Sequence, residues 1–370
     1  MFSHSVVERV EGSDTLHRLD TTISIESIGF GGAGVGRLTD GRVCFVPLTL
    51  PGERVSVSIV KEKKSFAEAE LVRLLEMSID RIPPRCPLFG KCGGCAYQHL
   101  RYEKQLEVKT GQVLELLGRF GGITGAVVRP MLPSPDEWNY RNRLGVHVHD
   151  GEVGFHERKS NRLIPASGCP IASPEVNVQL AELAANPPRG NQRITLREKS
   201  EFFGFSQVNR GAAQLLADVV CRMLEGGGAH LVDAYCGAGF FTKRLREKFQ
   251  AVTGIEWSHG AVHAARSSAQ AGEVYLEGAV EVHLPAALAG SAASETALLL
   301  DPPAEGLSRE VLEAILANPP ATIVYVSCDP STLARDLKRL SPQFFLDHIQ
   351  PVDMFPQTAE IETVSLLKIL

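Results

Sequence analysis

Four short runs of aliphatic and β-branched residues in the second half of this chain each stop on a polar side chain, and a helical pattern follows each. They are "HLVDA" at Asp233, "VTGIE" at Glu256, "LLLDP" at Asp301 and "TIVYVSCDP" at Cys328. Runs with no polar alternation are strands buried on both faces, and helices between successive strands force them parallel. The spacing predicts strands at 230–234, 252–255, 297–300 and 323–327, with helices near 212–224, 240–249, 258–271 and 309–316. In such a sheet the C-terminal strand ends share one edge, where ligands bind. Glu256, Asp301 and Cys328 are therefore predicted to converge. Asp329-Pro330 breaks the last run, and Ser331 or Thr332 is placed to cap the helix that follows.

The rest of the 370 residues divides by pattern. Residues 1–20 read as a flexible polar leader without the apolar centre of a signal peptide, and no run approaches the roughly eighteen apolar residues of a membrane span. That predicts a cytoplasmic protein. Residues 21–76 alternate apolar and polar positions between Asp40-Gly41 and Pro51-Gly52, the pattern of a small OB-like β-barrel, a fold that often holds single-stranded nucleic acid. Residues 77–205 form a small, mainly antiparallel central domain in which Arg141, Arg143, Arg158, Lys159 and Arg162 offer a phosphate path. Residues 206–370 carry the parallel sheet, with "AALAGSAASETA" as a loose connection. The net charge of −5 gives no global pull on nucleic acid, so RNA binding has to rest on local basic patches.

Each constellation has a chemical reading. After Asp233, Gly237 and Gly239 let backbone approach a ligand, and Glu256 at the next strand end suits the two hydroxyls of a ribose. The third glycine of the dinucleotide fingerprint is missing, and no Gly-Lys-Ser/Thr follows, which points to S-adenosyl-L-methionine rather than NAD or ATP. Asp301, alone, reads as a helix cap; beside Glu256 and Cys328 it reads as part of a site. A lone cysteine is commonly a structural one, but a thiol near a helix N-terminus ionises more readily. Eight cysteines without a secretory signal argue for metal or catalytic use. Cys86-x5-Cys92-x2-Cys95, with Cys169-Pro170 further on, suits either tetrahedral zinc or a four-iron cluster, and the spacing favours the cluster. A strand from Ile361 would set Glu360 and Glu362 on one face, where each raises the other's proton affinity as a general base requires; the plain alternative is two solvated glutamates.

Together these motifs resemble the RNA uracil-C5 (5-methyluridine) methyltransferase family, in its iron-sulfur branch with an N-terminal TRAM barrel. The resemblance runs over nearly the whole chain after residue 20, through "GGCAYQHLRYEKQL", "YRNR" and the four strand ends. It implies a Rossmann-like S-adenosylmethionine methyltransferase domain, and a [4Fe-4S] cluster held by Cys86, Cys92, Cys95 and Cys169, with zinc as the alternative. It also implies cofactor binding by Gln207, Tyr235, Glu256 and Asp301, a nucleophile at Cys328 and a base at Glu362. The implied partner is RNA, ribosomal rather than transfer RNA, and the implied state a monomer. Methylation of a transfer RNA uridine or a cytosine, and a non-catalytic RNA-binding or ribosome-assembly role, are the alternatives. The last is motivated by departures from the family pattern: Ala304 for an arginine, Glu360 for a histidine, and Ala279 for an acidic residue near the adenine; Asp329 for an asparagine is a further departure, a carboxylate beside the thiol that would raise its proton affinity.

Overall fold

The computed structural model describes residues 21–199, 207–290 and 292–370; the leader at 1–20, residues 200–206 across the end of the central segment, and residue 291 lie outside the described residues. Contacts divide the chain into two compact units, residues 21–29 with Ala33–Ile79, and Phe30–Gly32 with Asp80–Leu370.

The first unit is a closed barrel of β1 (Thr21–Ile28), β2 (Ala33–Arg37), β3 (Val43–Pro47), β4 (Arg54–Glu62) and β5 (Phe66–Glu76), in the order β1-β2-β3-β5-β4. Alternation decides which side chains face inward. Ile23, Ile25, Val46, Val55, Val57, Ala67 and Ala69 fill the interior, and the residues between them face outward. Asp40 makes the predicted turn by accepting the N–H of Arg42 at 3.0 Å.

In the second unit, α1 (Tyr102–Leu116) ends in a π-turn at Leu117–Gly121. A four-stranded antiparallel sheet follows: β6 (Arg143–His149), β7 (Glu152–His156), β8 (Leu163–Pro165) and, after α2 (Pro174–Ala185), β9 (Gln192–Arg197), in the order β8-β7-β6-β9. Leu144, Val146, Val148 and Val153 pack on Val176 and Leu180 of α2, leaving the alternate positions of β6 on the other face.

The remainder is α3 (Arg210–Met223), β10 (Gly228–Ala234), α4 (Thr242–Leu245), β11 (Phe249–Glu256), α5 (His259–Arg266), β12 (Glu273–Glu277), α6 (Val280–Ala289), β13 (Thr296–Leu300), α7 (Arg309–Ala317), β14 (Thr322–Ser327), α8 (Pro330–Leu340), β15 (Phe344–Val352) and β16 (Glu362–Ile369). The sheet order is β12-β11-β10-β13-β14-β16-β15. The first five strands are parallel and β16 runs antiparallel to both its neighbours. Both faces are covered. Val232, Leu298, Leu300, Ile323 and Tyr325 pack to one side with residues of α6, α7 and α8, while Leu231, Leu299, Val324 and Val326 pack to the other with α3. No helix among the described residues is long and apolar enough to cross a membrane.

Three local expectations are corrected. The helix expected at 240–249 shrinks to α4 and a 3₁₀ turn, because Phe249 is buried and already paired with Gly228 in the sheet. The helix expected at 258–271 stops at Arg266. The first part of "AALAGSAASETA" is not loose: Ala286–Ala289 complete α6, which Val280, Leu284 and Leu288 anchor in the core despite Pro285. Tertiary burial outweighs the roughly 3 kcal/mol that an interior proline costs a helix.

Candidate active site

The strand ends do meet. A cavity of about 940 Å³ at the C-terminal edge of the sheet is lined by Gln207, Tyr235, Gly237, Glu256, Asp301, Cys328 and Glu362. A second cavity, of about 830 Å³, opens where β10, β13 and β14 begin and carries none of these groups. Backbone conformation shapes the first wall. After β10 the chain turns through Tyr235 at φ 67° and Gly237 at φ 55°, a left-handed conformation that glycine adopts without strain. Glu256, buried at the end of β11, accepts the N–H of Gly237 at 3.1 Å and of Ser258 at 2.8 Å. One lone pair on each oxygen remains for a ligand hydroxyl.

Asp233 and Gly239 lie outside that lining. The Asp233 carboxylate is buried and accepts the hydroxyl of Thr242 at the start of α4, so it braces the turn from beneath. Burial pushes its carboxyl up to about 7. Trp257, Gly260, His263 and Phe355 line the cavity without having been singled out from the sequence, and Pro302 and Pro303, which follow Asp301, line it too. Trp257 had a signal: a large aromatic directly after an acidic strand end, here 77% exposed.

Cys328 and Glu362 come together through strand pairing. β14 and β16 are antiparallel neighbours in which Ser327 faces Thr363, so the residue after one and the residue before the other share the sheet edge. Thr363 Oγ1 donates to Ser327 O at 3.1 Å and closes that register. Asp301 ends the neighbouring β13. It caps nothing, since Ser308 caps α7 by accepting the N–H of Val311. Glu360 and Glu362 do not share a strand face, although Glu360 still helps to raise Glu362. Glu360 precedes the strand and is exposed, whereas Glu362 is 5% exposed.

The electrostatics also differ from the expectation for Cys328. Although Cys328 opens onto the cavity, its thiol is pushed up to about 12, first by the protein atoms that crowd out its solvation, then by the carboxylates of Glu362 and Asp301, with Asp329 a smaller contributor. The helix N-terminus does not offset this, because Asp329 itself caps α8, accepting the N–H of Ser331 at 2.8 Å and of Thr332 at 3.1 Å. Ser331 and Thr332 are thus donors to the cap, not the cap. Burial, then Asp233, raises Asp301 to about 7, and burial, then Asp301 and Glu360, raises Glu362 well above the usual range. The lining holds three carboxyl groups and a thiol, and no lysine or arginine. Such a pocket favours a cationic ligand, which would lower all of these proton affinities. The sulfonium and ammonium of S-adenosylmethionine fit that field, and Glu256 fits its ribose.

Glu362 is approached through residues 353–361, which a second layer of bonds immobilises. Lys109 of α1 donates to Asp353 at 2.6 Å and to the carbonyl of Phe355 at 3.0 Å, with both charged side chains fully buried. Gln105 Nε2 donates to Gln357 Oε1 at 3.0 Å, and Gln105 Oε1 accepts the N–H of Gln357 at 3.1 Å. The N–H groups of Ala96 and Tyr97 donate to the carbonyl of Gln357 at 2.9 and 3.0 Å. The turn just after Cys95 is therefore hydrogen-bonded to the segment that delivers Glu362.

Cys86, Cys92, Cys95 and Cys169 are free, half-buried thiols close enough to act on one another. Burial, then neighbouring thiols after a partly offsetting bond to Gln98, pushes Cys95 up to about 12. Burial also raises Cys92 and Cys169. No three of the four sulfurs lie within 4.8 Å of one another. Closed tetrahedral zinc, at about 2.3 Å per sulfur, needs sulfurs about 3.8 Å apart.

Comparison with known proteins follows the same lines. The TRAM domain matches residues 20–72, and the tRNA (Uracil-5-)-methyltransferase family matches residues 290–369. An uncharacterized RNA methyltransferase of Synechocystis is 32% identical, covering 94% of this chain and 95% of its own. Another from Bdellovibrio bacteriovorus is 32% identical over 94% of each. The crystal structure of the Pyrococcus abyssi tRNA (uracil-54, C5)-methyltransferase with S-adenosyl-L-homocysteine superposes with a TM-score of 0.70 at 23% identity, covering 94% of this chain and all of that one. It shares the barrel and the Rossmann-like sheet.

Proposed function

We propose that this chain, which belongs to the RNA uracil-C5 methyltransferase family, methylates C5 of one uridine in a large-subunit ribosomal RNA, acting as a cytoplasmic monomer, through a covalent bond from Cys328 to C6 of the base. The observation that carries this reading is the placement of a thiol and a buried carboxyl on adjacent antiparallel strands, at the edge of an acidic pocket without cations. C5 of uracil is a poor nucleophile. Addition of the Cys328 thiolate to C6 turns C5 into an enolate carbon. S-adenosylmethionine, when bound, supplies the methyl group as an electrophile. Glu362 then takes the C5 proton, the electron pair reforms the C5–C6 double bond, and Cys328 leaves as thiolate. The raised proton affinity of Glu362 suits a group that must hold that proton. Gln207, Tyr235, Gly237, Glu256 and Asp301 are assigned to the cofactor, with Asp233 and Gly239 shaping the turn beneath it. A base has to leave its stack to reach the thiol, and the TRAM barrel and the basic central segment are assigned to holding the opened RNA.

The test uses RNA from cells lacking this protein, incubated with the enzyme and methyl-labelled S-adenosylmethionine, then digested to nucleosides. The expected label is 5-methyluridine in large-subunit ribosomal RNA. Label in 5-methylcytidine would refute the base assignment, and label confined to transfer RNA would refute the RNA assignment.

The four cysteines are assigned to a [4Fe-4S] cluster with a structural role, binding the turn that meets Gln357. The spacing Cys86-x5-Cys92-x2-Cys95, with Pro170 directly after Cys169, supports the larger centre. Anaerobically purified protein is expected to be brown and to hold about four iron atoms per chain. Stoichiometric zinc in colourless protein would overturn the assignment.

A further inference from the structure

The face of the central sheet opposite α2 carries a group of half-buried side chains for which methylation has no use. His147 and His149 stand two residues apart on β6, on the side opposite the Val146 and Val148 core, and His156 lies on β7. The cross-strand partner of His147 is Gly154, which cannot carry a side chain, since a Cβ there would meet the carbonyl of Ile164. That opening lets His156, two residues on, lean across. Its ring stacks on His147 with centroids 3.6 Å apart, and His149 lies 5.6 Å from His156 and 6.1 Å from His147. One ring nitrogen from each of the three lies within 4.8 Å of the others, and the Nε2 of His156 is buried without a hydrogen-bond partner.

We propose that His147, His149 and His156 form a binding site for a divalent transition-metal ion, separate from the cysteine centre. Imidazole is the ligand that zinc, cobalt and nickel share, and three such donors leave an outer position for water. An ion shared by two imidazoles lies in the plane of each, so binding opens the stack by side-chain rotation. Two charges flank the site. Glu152, directly across from His149, favours a cation, and Arg193, directly across from His147, opposes one. Burial and the adjacent rings and Arg193 hold His147 below the usual imidazole range, in the neutral form a metal requires. The bound ion ties β6 to β7 where the carbonyl of His156 accepts the N–H of Gly93 at 3.2 Å, and so braces the turn that carries Cys92.

The experiment titrates cobalt(II) into tag-free, full-length protein, purified anaerobically with its cysteine centre as isolated, and follows heat and visible absorbance. One equivalent should bind without the intense charge-transfer band that thiolate ligands give. The His149→Gln/His156→Gln double variant should bind at least about tenfold more weakly, since losing even an outer partner of a metal site costs about that much. Arg193→Gln should bind several-fold tighter, a gain that no loss of folding can imitate. Absence of binding by the wild-type chain, a thiolate band, or equal affinity in wild type and double variant each overturns the proposal.

Discussion

Cys328→Ala is expected to abolish methyl transfer to RNA, by roughly 10⁴-fold or more, while S-adenosylmethionine affinity stays within a few fold of wild type. The loss is large because the thiol is covalent in the proposed reaction, and removal of a nucleophile is felt on that scale. The affinity is spared because the groups assigned to the ribose and the turn, Glu256 and Gly237, do not depend on the thiol. The fold is spared because Cys328 is exposed at the cavity. The thiol's proton affinity adds a direction with pH. Held near 12 in the free pocket, it is mostly protonated at neutrality, so the thiolate fraction rises with pH. Glu362 also has to be ionised to act as base, so both groups make the wild-type rate climb from acid toward alkaline pH. Filter-binding of labelled methyl groups and calorimetry with the cofactor read the two halves. A variant that methylates within tenfold of wild type ends the covalent mechanism.

Glu362→Gln should separate the reaction at its last stage. The amide is nearly isosteric, and it removes one of the carboxylates crowded around Asp301, so the pocket is expected to tolerate it. Addition of Cys328 and capture of the methyl group remain possible, but the C5 proton has no acceptor. The sulfur then cannot leave. Turnover is expected to fall about 10²- to 10⁴-fold, the usual contribution of a positioned base, while a protein–RNA adduct accumulates and survives denaturing electrophoresis. Adding Cys328→Ala should erase the adduct. If the single variant turns over slowly with free protein and free RNA only, Glu362 acts before the covalent bond forms, and its assigned role fails.

Strand-level features were legible because each was local. The runs ending at Asp233, Glu256, Asp301 and Cys328 are buried on both faces and carry that burial in their composition, so their strands appear within a few residues of the predicted positions. The edge strand β12 and helix α6 were not legible. "EVYLE" is short and charged, and Pro285 interrupts a helix that only packing on the sheet secures. The shared strand face of Glu360 and Glu362 was misread for a related reason. Period-two alternation assumes that the strand has begun, and β16 begins at Glu362 itself. The carboxylate that acts most strongly on Glu362 is Asp301, distant in sequence, and no local pattern could have supplied it.

What the sequence by itself determined was which residues end strands, and therefore which edge of the sheet would carry chemistry, because burial and turn propensity are written in adjacent residues. What only the tertiary structure decided was proton affinity and capping: that Cys328 sits among acids rather than in the field of a helix, that Asp329 rather than Ser331 caps α8, and that three histidines of one hairpin meet. These depend on distances between residues far apart in the chain, and Coulomb and hydrogen-bond energies follow distance in space, not separation in sequence.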